Sequence, residues 1–158
     1  AGLCCLQQVV LANSNSFGPR ARRAQGGQER RILLAPTPGE QHSFGLVLVG
    51  EFFRRQGWEV VSAMGADAKE IVALTRRHWF GMVGFTLADD TRLEPLALLI
   101  REVRRTTRNP RLGVMAGGLI FSERPELAAL VGADATANDG EQAVLKAETL
   151  LALLLDEV

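Results

Sequence analysis

The sequence predicts an α/β domain built on a doubly wound, five-stranded parallel sheet, and three observations carry that expectation. Brief apolar runs alternate with longer amphipathic ones from Arg31 onward, which is how strands buried on both faces alternate with crossover helices. Gly57, Gly81, Gly113 and Gly132 fall in or near the junctions between runs, and Pro95 and Pro125 fall in first helical turns, where the missing amide proton costs little. The chain has 158 residues and is 47% hydrophobic, enough to bury one sizeable core.

In chain order, strands are expected over residues 32–35, 59–62, 82–86, 112–115 and 133–136, each a short run rich in Val, Ile, Leu, Met or Ala. Helices are expected over residues 44–56, 68–77, 94–106, 123–131 and 141–156, where apolar residues recur three or four positions apart. Right-handed crossovers leave few arrangements for such an alternation, and the expected one is the flavodoxin-like order. No internal repeat is visible. Upstream, Leu3, Leu6, Val9, Val10 and Ala12 share a helical spacing, and residues 13–27 are rich in Ser, Asn, Gly and Arg. Residues 1–29 therefore read as a short helix and linker from a preceding module, and residues 30–158 as the sheet domain. With no initiator methionine and an apolar pattern already under way at residue 1, the chain is expected to be part of a longer protein.

Eighteen basic and eighteen acidic side chains cancel, so no field of one sign draws the chain to nucleic acid or to a membrane surface. The basic residues are arginines apart from Lys69 and Lys146, and the planar arginine fork suits carboxylate, propionate or phosphate groups. Cys4 and Cys5 are adjacent, a spacing that fits neither an ordinary disulfide framework nor a zinc site; they read as packing residues. The first twelve residues are uncharged but too short to span a bilayer, and the expected location is the cytoplasm.

Ligands on doubly wound sheets bind at the carboxyl ends of the strands, so the loops after strands one, three, four and five hold the candidate site. The first reads Thr37-Pro38-Gly39-Glu40-Gln41-His42-Ser43-Phe44-Gly45. It places a histidine at the ligand edge with a carboxylate two residues earlier. Imidazole is well suited to hold a metal there, and a metal-bound imidazole commonly gives its other ring proton to a carboxylate, a role that fits Glu40. Gly45 would let the start of the helix pass close beneath a large flat ligand.

Glu40-x-His42-x-x-Gly45 resembles the Asp-x-His-x-x-Gly signature of cobalamin-binding domains. The segments Gly84-Phe85-Thr86-Leu87-Ala88 and Ala116-Gly117-Gly118 are similar to that family's Ser-x-Leu and Gly-Gly segments, and Gly132-Ala133-Asp134 with Asn138-Asp139-Gly140 resembles its closing strand and loop. The resemblance covers roughly residues 31–154. It implies a flavodoxin-like cobalamin-binding fold, with Thr86, Gly117 and Gly118 lining a channel for the nucleotide tail of a corrinoid. The sequence departs from the family pattern in three places: Glu40 is one methylene longer than aspartate, Thr86 replaces serine, and Ala88 stands where leucine is usual.

The Gly39 to Gly45 segment looks like the variant found in light- and redox-responsive regulators of anoxygenic photosynthesis. That likeness implies a heme-binding form of the fold, with cobalamin as the alternative cofactor and His42 as the axial ligand. It further implies a sensory antirepressor that is not an enzyme, whose partner is a PpsR-type transcriptional repressor. The cofactor-binding residues so implied are Glu40, His42, Phe44, Gly45, Thr86, Gly117 and Gly118, with His42 on the metal. The enzyme alternative is a cobalamin-carrying module of a methyltransferase or mutase, whose chemistry would need a separate substrate barrel.

Other residues read more plainly. Phe44, Phe52 and Phe53 are expected in the core, although Phe44 beside the histidine could also touch a flat ligand. His78 reads as a helix-end residue. Arg101, Arg104, Arg105, Arg108 and Arg111 read as a solvated surface, with docking of an acidic partner as the other reading. A phosphoacceptor receiver domain would need an acidic pair after strand one and an aspartate at strand three, where this chain has Pro36-Thr37 and Thr86. It also lacks Gly-x-x-x-x-Gly-Lys-Ser/Thr and Gly-x-Ser-x-Gly, which argues against nucleotide hydrolysis and serine esterase chemistry.

Overall fold

The computed structural model describes residues 27–156. The helix expected over the first twelve residues, nearly all of the linker after it, and Cys4 and Cys5 lie outside the described residues.

A 3-10 turn (Gly27–Arg30) leads into β1 (Arg31–Pro36), followed by α1 (Phe44–Arg55), β2 (Glu59–Ser62), α2 (Ala68–Arg77) and β3 (Met82–Thr86). The chain continues through a 3-10 turn (Asp90–Arg92), α3 (Leu93–Thr106), β4 (Gly113–Gly117), two short helices α4 (Leu119–Glu123) and α5 (Glu126–Leu130), β5 (Ala135–Ala137) and α6 (Gly140–Asp156). All five strands are parallel in the order β2-β1-β3-β4-β5, so the chain reverses its direction of winding between β1 and β3. That is the doubly wound arrangement the sequence predicts, and it places the loops after β1 and β3 side by side.

Period-two alternation along the strands divides the core. Leu33, Ala35, Val83, Phe85, Val114 and Ala116 face one side and pack with Ile71 of α2, Leu96, Ile100 and Val103 of α3, and Phe121 of α4. Ile32, Leu34, Met82 and Met115 face the other, against Leu46 and Phe53 of α1 and Ala143, Val144, Ala147 and Leu151 of α6. Phe53 meets Trp58 edge to face at 5.2 Å between ring centroids. Helix α2 starts where the Asp67 carboxylate accepts the Glu70 amide at 2.8 Å, and it ends on Arg76 and Arg77, which suit the negative end of its dipole.

The fourth strand, expected over residues 112–115, runs from Gly113 to Gly117, and three further expectations need correction. The single helix expected over residues 123–131 is two: Pro125 pushes Arg124 out of the helical region to φ −135°, ψ 76°, so one short helix ends at Glu123 and the next begins at Glu126. The fifth strand begins at Ala135, not residue 133, because Asp134 spends its side chain on the sheet: its carboxylate accepts the Val114 amide at 2.9 Å and pairs with Arg104 at 3.0 Å. Phe52 is not in the core. It is 39% exposed, one helical step round from the buried Phe53 and on the same outer side as Leu48.

Candidate cofactor site

The carboxyl edge of the sheet is stitched together by backbone contacts between successive loops. Thr37 is fully buried, and both its amide and its hydroxyl donate to the Thr86 carbonyl, at 3.0 and 2.9 Å. The Leu87 amide in turn donates to the Gly117 carbonyl at 3.0 Å. Thr37, at a position where a receiver domain would hold an acid, is thus a tie between β1 and β3.

Glu40 is the polar centre of the site. Its side chain is only 3% exposed, and it serves two loops at once. Oε1 accepts the His42 amide at 3.0 Å and lies 2.9 Å from His42 Nδ1, while Oε2 accepts the Ala88 amide at 2.8 Å. Burial alone would raise this carboxyl, but the amides of His42 and Ala88 and the adjoining imidazole outweigh it and hold the group below its ordinary value. Because the group titrates lower in the folded chain than in the unfolded one, its contribution is fully present above the ordinary carboxylate range and is lost as pH falls through the depressed value. The extra methylene of Glu40 relative to aspartate gives reach: the carboxylate extends to a neighbouring loop as well as to its own. Glu40→Ala is expected to cost about 2 kcal/mol, the scale of hydrogen bonds to a charged acceptor, and to accelerate hydrogen exchange at the Ala88 amide. Exchange measured by NMR checks this; unchanged protection at Ala88 would mean the link carries no load.

The His42 side chain is 84% exposed. An ionised carboxylate has no proton to give, so Nδ1 is the donor in the pair with Glu40, and in the neutral tautomer that this pairing selects it is Nε2 that can bind a metal. Among the described residues, no group of three or more His, Cys, Asp or Glu is placed to hold a metal ion. A metal on Nε2 would therefore bring most of its ligands with it.

Beside this edge, on the α1/α6 side of the sheet, opens a cleft of about 370 Å³, within the usual range for small-molecule sites. Its floor includes three small residues, Gly84 within β3 and Gly117 and Ala137 at the ends of β4 and β5, with Thr86 and Gly118 at the rim and Gly45 at the start of α1. Gly84 sits mid-strand because a Cβ there would come within 2.8 Å of Leu34 Cδ2. A Cβ on Gly45 would meet nothing within 4 Å, so the space above this turn is open. On the far wall the ring of Phe52 rests on Gly140, where an added Cβ would lie 2.4 Å from it.

Of the residues singled out from the sequence, Gly45, Thr86, Gly117 and Gly118 line the cleft, and Glu40 and His42 form the exposed imidazole unit that precedes Gly45. Phe44 is half-buried and belongs neither to the cleft lining nor to either core cluster. His78 is the exposed C-cap of α2. The Ala88 amide, Thr37, Phe52 and Gly140 were not anticipated; a glycine inside the buried run 82–86 was the one signal for Gly84.

The B12 binding domain family matches residues 30–147. The chain belongs to the B12-binding domain family. A relative from Rhodobacter capsulatus, the uncharacterized 20.5 kDa protein in the bchF-crtJ intergenic region, is 37% identical over 111 residues, which is 68% of this chain and 56% of the relative. The chain thus spans little more than half the length of that relative. Among solved structures, this B12-binding domain is similar to a cobalamin-binding protein from Desulfitobacterium hafniense DCB-2 (TM-score 0.62, 20% identity, 76% of this chain and 58% of that one). It is also similar to the monomethylamine corrinoid protein of Methanosarcina barkeri (TM-score 0.65, 17% identity, 89% and 63%). These likenesses show the fold, which is flavodoxin-like. No helix among the described residues of the B12-binding domain is long and apolar enough to cross a membrane.

The residues present fit a cobalamin-class tetrapyrrole. His42 offers Nε2 for the metal, Glu40 fixes the ring, and the cleft offers an apolar slot beside it. Such a group, when bound, would supply a metal able to exchange a ligand and a strong visible absorbance.

Proposed function

We propose that this chain is a regulatory domain that takes up a metal tetrapyrrole on His42 and is not itself an enzyme. The observation that carries the reading is the exposed imidazole held by Glu40 on the same sheet edge as an open cleft floored by Gly84, Gly117 and Ala137. The tetrapyrrole class is supported by membership of the B12-binding domain family. The cleft favours cobalamin over heme, since a corrinoid has a nucleotide tail to place there and heme has none. Family membership and the corrinoid-binding structural neighbours support the same order.

The regulatory part rests on the likeness of the Gly39 to Gly45 segment to photosynthesis antirepressors, AppA among them, and on the relative in the bchF-crtJ region. In this reading cofactor uptake, responding to light or redox conditions, shifts the loops around Glu40 and alters affinity for a PpsR-type repressor in the cytoplasm. Heme in place of cobalamin is the second reading, carried by the same segment.

Parallel absorbance titrations with hydroxocobalamin and hemin test the proposal. Gly117→Leu separates the two cofactors, because a Cβ there has only one contact, 3.6 Å from the Ala137 carbonyl oxygen, so a larger side chain fills the cleft rather than the core. It is expected to weaken hydroxocobalamin binding by about tenfold or more, as a blocked pocket loses its packing, while hemin binding is retained. Loss of neither ligand would show that the cleft does not seat the tail, and failure of both ligands to bind the wild type would end the reading.

A further inference from the structure

Helices α2 and α3 run side by side on the face of the sheet opposite the cleft, and between them lies a groove of about 550 Å³ lined by Ala68, Val72, Ala73, Pro95, Leu98 and Leu99. Leu98 is 54% exposed there, whereas Leu96 and Leu99 of the same helix are buried. The charges around the groove are sorted by end. Glu70 and Glu94 stand in the first turns of the two helices, at the ligand edge, where Lys69 is the cation that lines the groove beside them. Arg76 and Arg77 close α2, and Arg101, Arg105 and Arg108 follow on and after α3, at the opposite edge. Glu102, the one carboxylate lining the groove, is held by Arg105 in a two-pronged pair at 2.6 and 3.1 Å. Among the described residues, no hydrogen bond or ion pair occupies the side chain of Arg76 or Arg101. In a chain whose charges cancel overall, this edge is a cationic end on an apolar furrow.

We infer that the α2/α3 groove is the surface through which this domain meets its protein partner, and that the partner contributes an amphipathic helix. A furrow between two parallel helices accepts a third helix by interdigitated side chains, with Leu98 as the projecting apolar contact. The carboxylates of that helix lie toward the Arg76 and Arg101 end, and the separation of charge along the groove fixes its direction. The inference rests on the regulatory reading for the existence of a partner, but not on the identity of the cofactor. It replaces the solvated-surface reading of the arginines with the docking one.

The test uses the full chain, with a PpsR-type repressor as the first probe and a synthetic amphipathic helix bearing glutamates at one end as the second. Binding is followed by fluorescence anisotropy, and hydroxocobalamin titration of every variant runs alongside. Leu98→Ser and the double variant Arg76→Glu/Arg101→Glu should each weaken probe binding by about tenfold or more, in the range of an interface contact or of reversed charges. Both sites are exposed, so the fold should persist, as circular dichroism will report. Leu145→Ser, 63% exposed on α6, should leave binding unchanged. Affinity of the wild type should fall with added salt. Groove variants that bind like the wild type, loss confined to Leu145→Ser, dimerisation of the wild type abolished by Leu98→Ser, or binding of neither probe would each overturn the inference. If hydroxocobalamin fails to bind while the groove variants still lose the probe, the cofactor reading fails and the groove stands.

Discussion

Replacing His42 with alanine is expected to weaken hydroxocobalamin binding at least tenfold and to abolish the spectral change that accompanies imidazole ligation. The magnitude follows from what milder changes do: disturbing only the partner of a metal-bound histidine typically costs roughly tenfold to a hundredfold in affinity, and this substitution removes the ligand itself. The effect should be confined to binding. A side chain that is 84% exposed contributes little to packing, so the melting temperature should stay close to that of the wild type. Absorbance titration of both proteins decides the matter. An unchanged affinity and spectrum in His42→Ala would show that Nε2 is idle and that the metal, if bound, is held elsewhere.

The second large effect is on the fold. Gly118 has φ 107° and ψ 176°, a conformation essentially reserved for glycine. A Cβ at this position would lie 2.4 Å from the Leu87 carbonyl oxygen and 2.9 Å from Thr86 Oγ1. Neither neighbour can easily withdraw, because the Leu87 amide is tied to the Gly117 carbonyl and the Thr86 carbonyl to Thr37. Gly118→Ala is therefore expected to destabilise the domain by about 3 kcal/mol, the upper end for a strained backbone position, which corresponds to a fall of roughly 10 °C in Tm for a domain of this size. The adjacent Gly117→Ala should be nearly silent in the same thermal melt, since its Cβ has room. Equal losses at the two glycines would mean that the backbone conformation is not the cause.

The legibility of this molecule followed local apolar pattern rather than burial, since the half-buried β2 is matched while the buried β1 and β4 run past their expected ends. Strands β2 and β3 were found residue for residue, because runs such as Met82 to Thr86 are apolar on both faces and flanked by a glycine. The fifth strand was misplaced by two residues at its start because Asp134 acts through its carboxylate, and a sequence pattern weighs only the side chain's polarity, not the amide it will satisfy. The helix over residues 123–131 failed for a similar local reason: Pro125 was read as a favourable first-turn residue, whereas its constraint on Arg124 ended a helix that had already begun at Leu119. The imidazole, its carboxylate partner and the small rim residues were legible from spacing and family likeness. The far wall of the cleft was not, since Phe52 and Gly140 are 88 positions apart in the sequence and meet only because α1 and α6 pack together.

The two sides of the sheet carry unequal burdens. Bulky side chains from four helices pack on one side, while on the other Gly84, Gly117 and Ala137 leave a cleft beside a core that includes Phe53, Met82 and Met115. Architectural strength and chemical choice are thus lodged in different residues. Substitutions at the cleft lining should reshape the cleft at little cost to the scaffold, whose larger core cluster lies across the sheet.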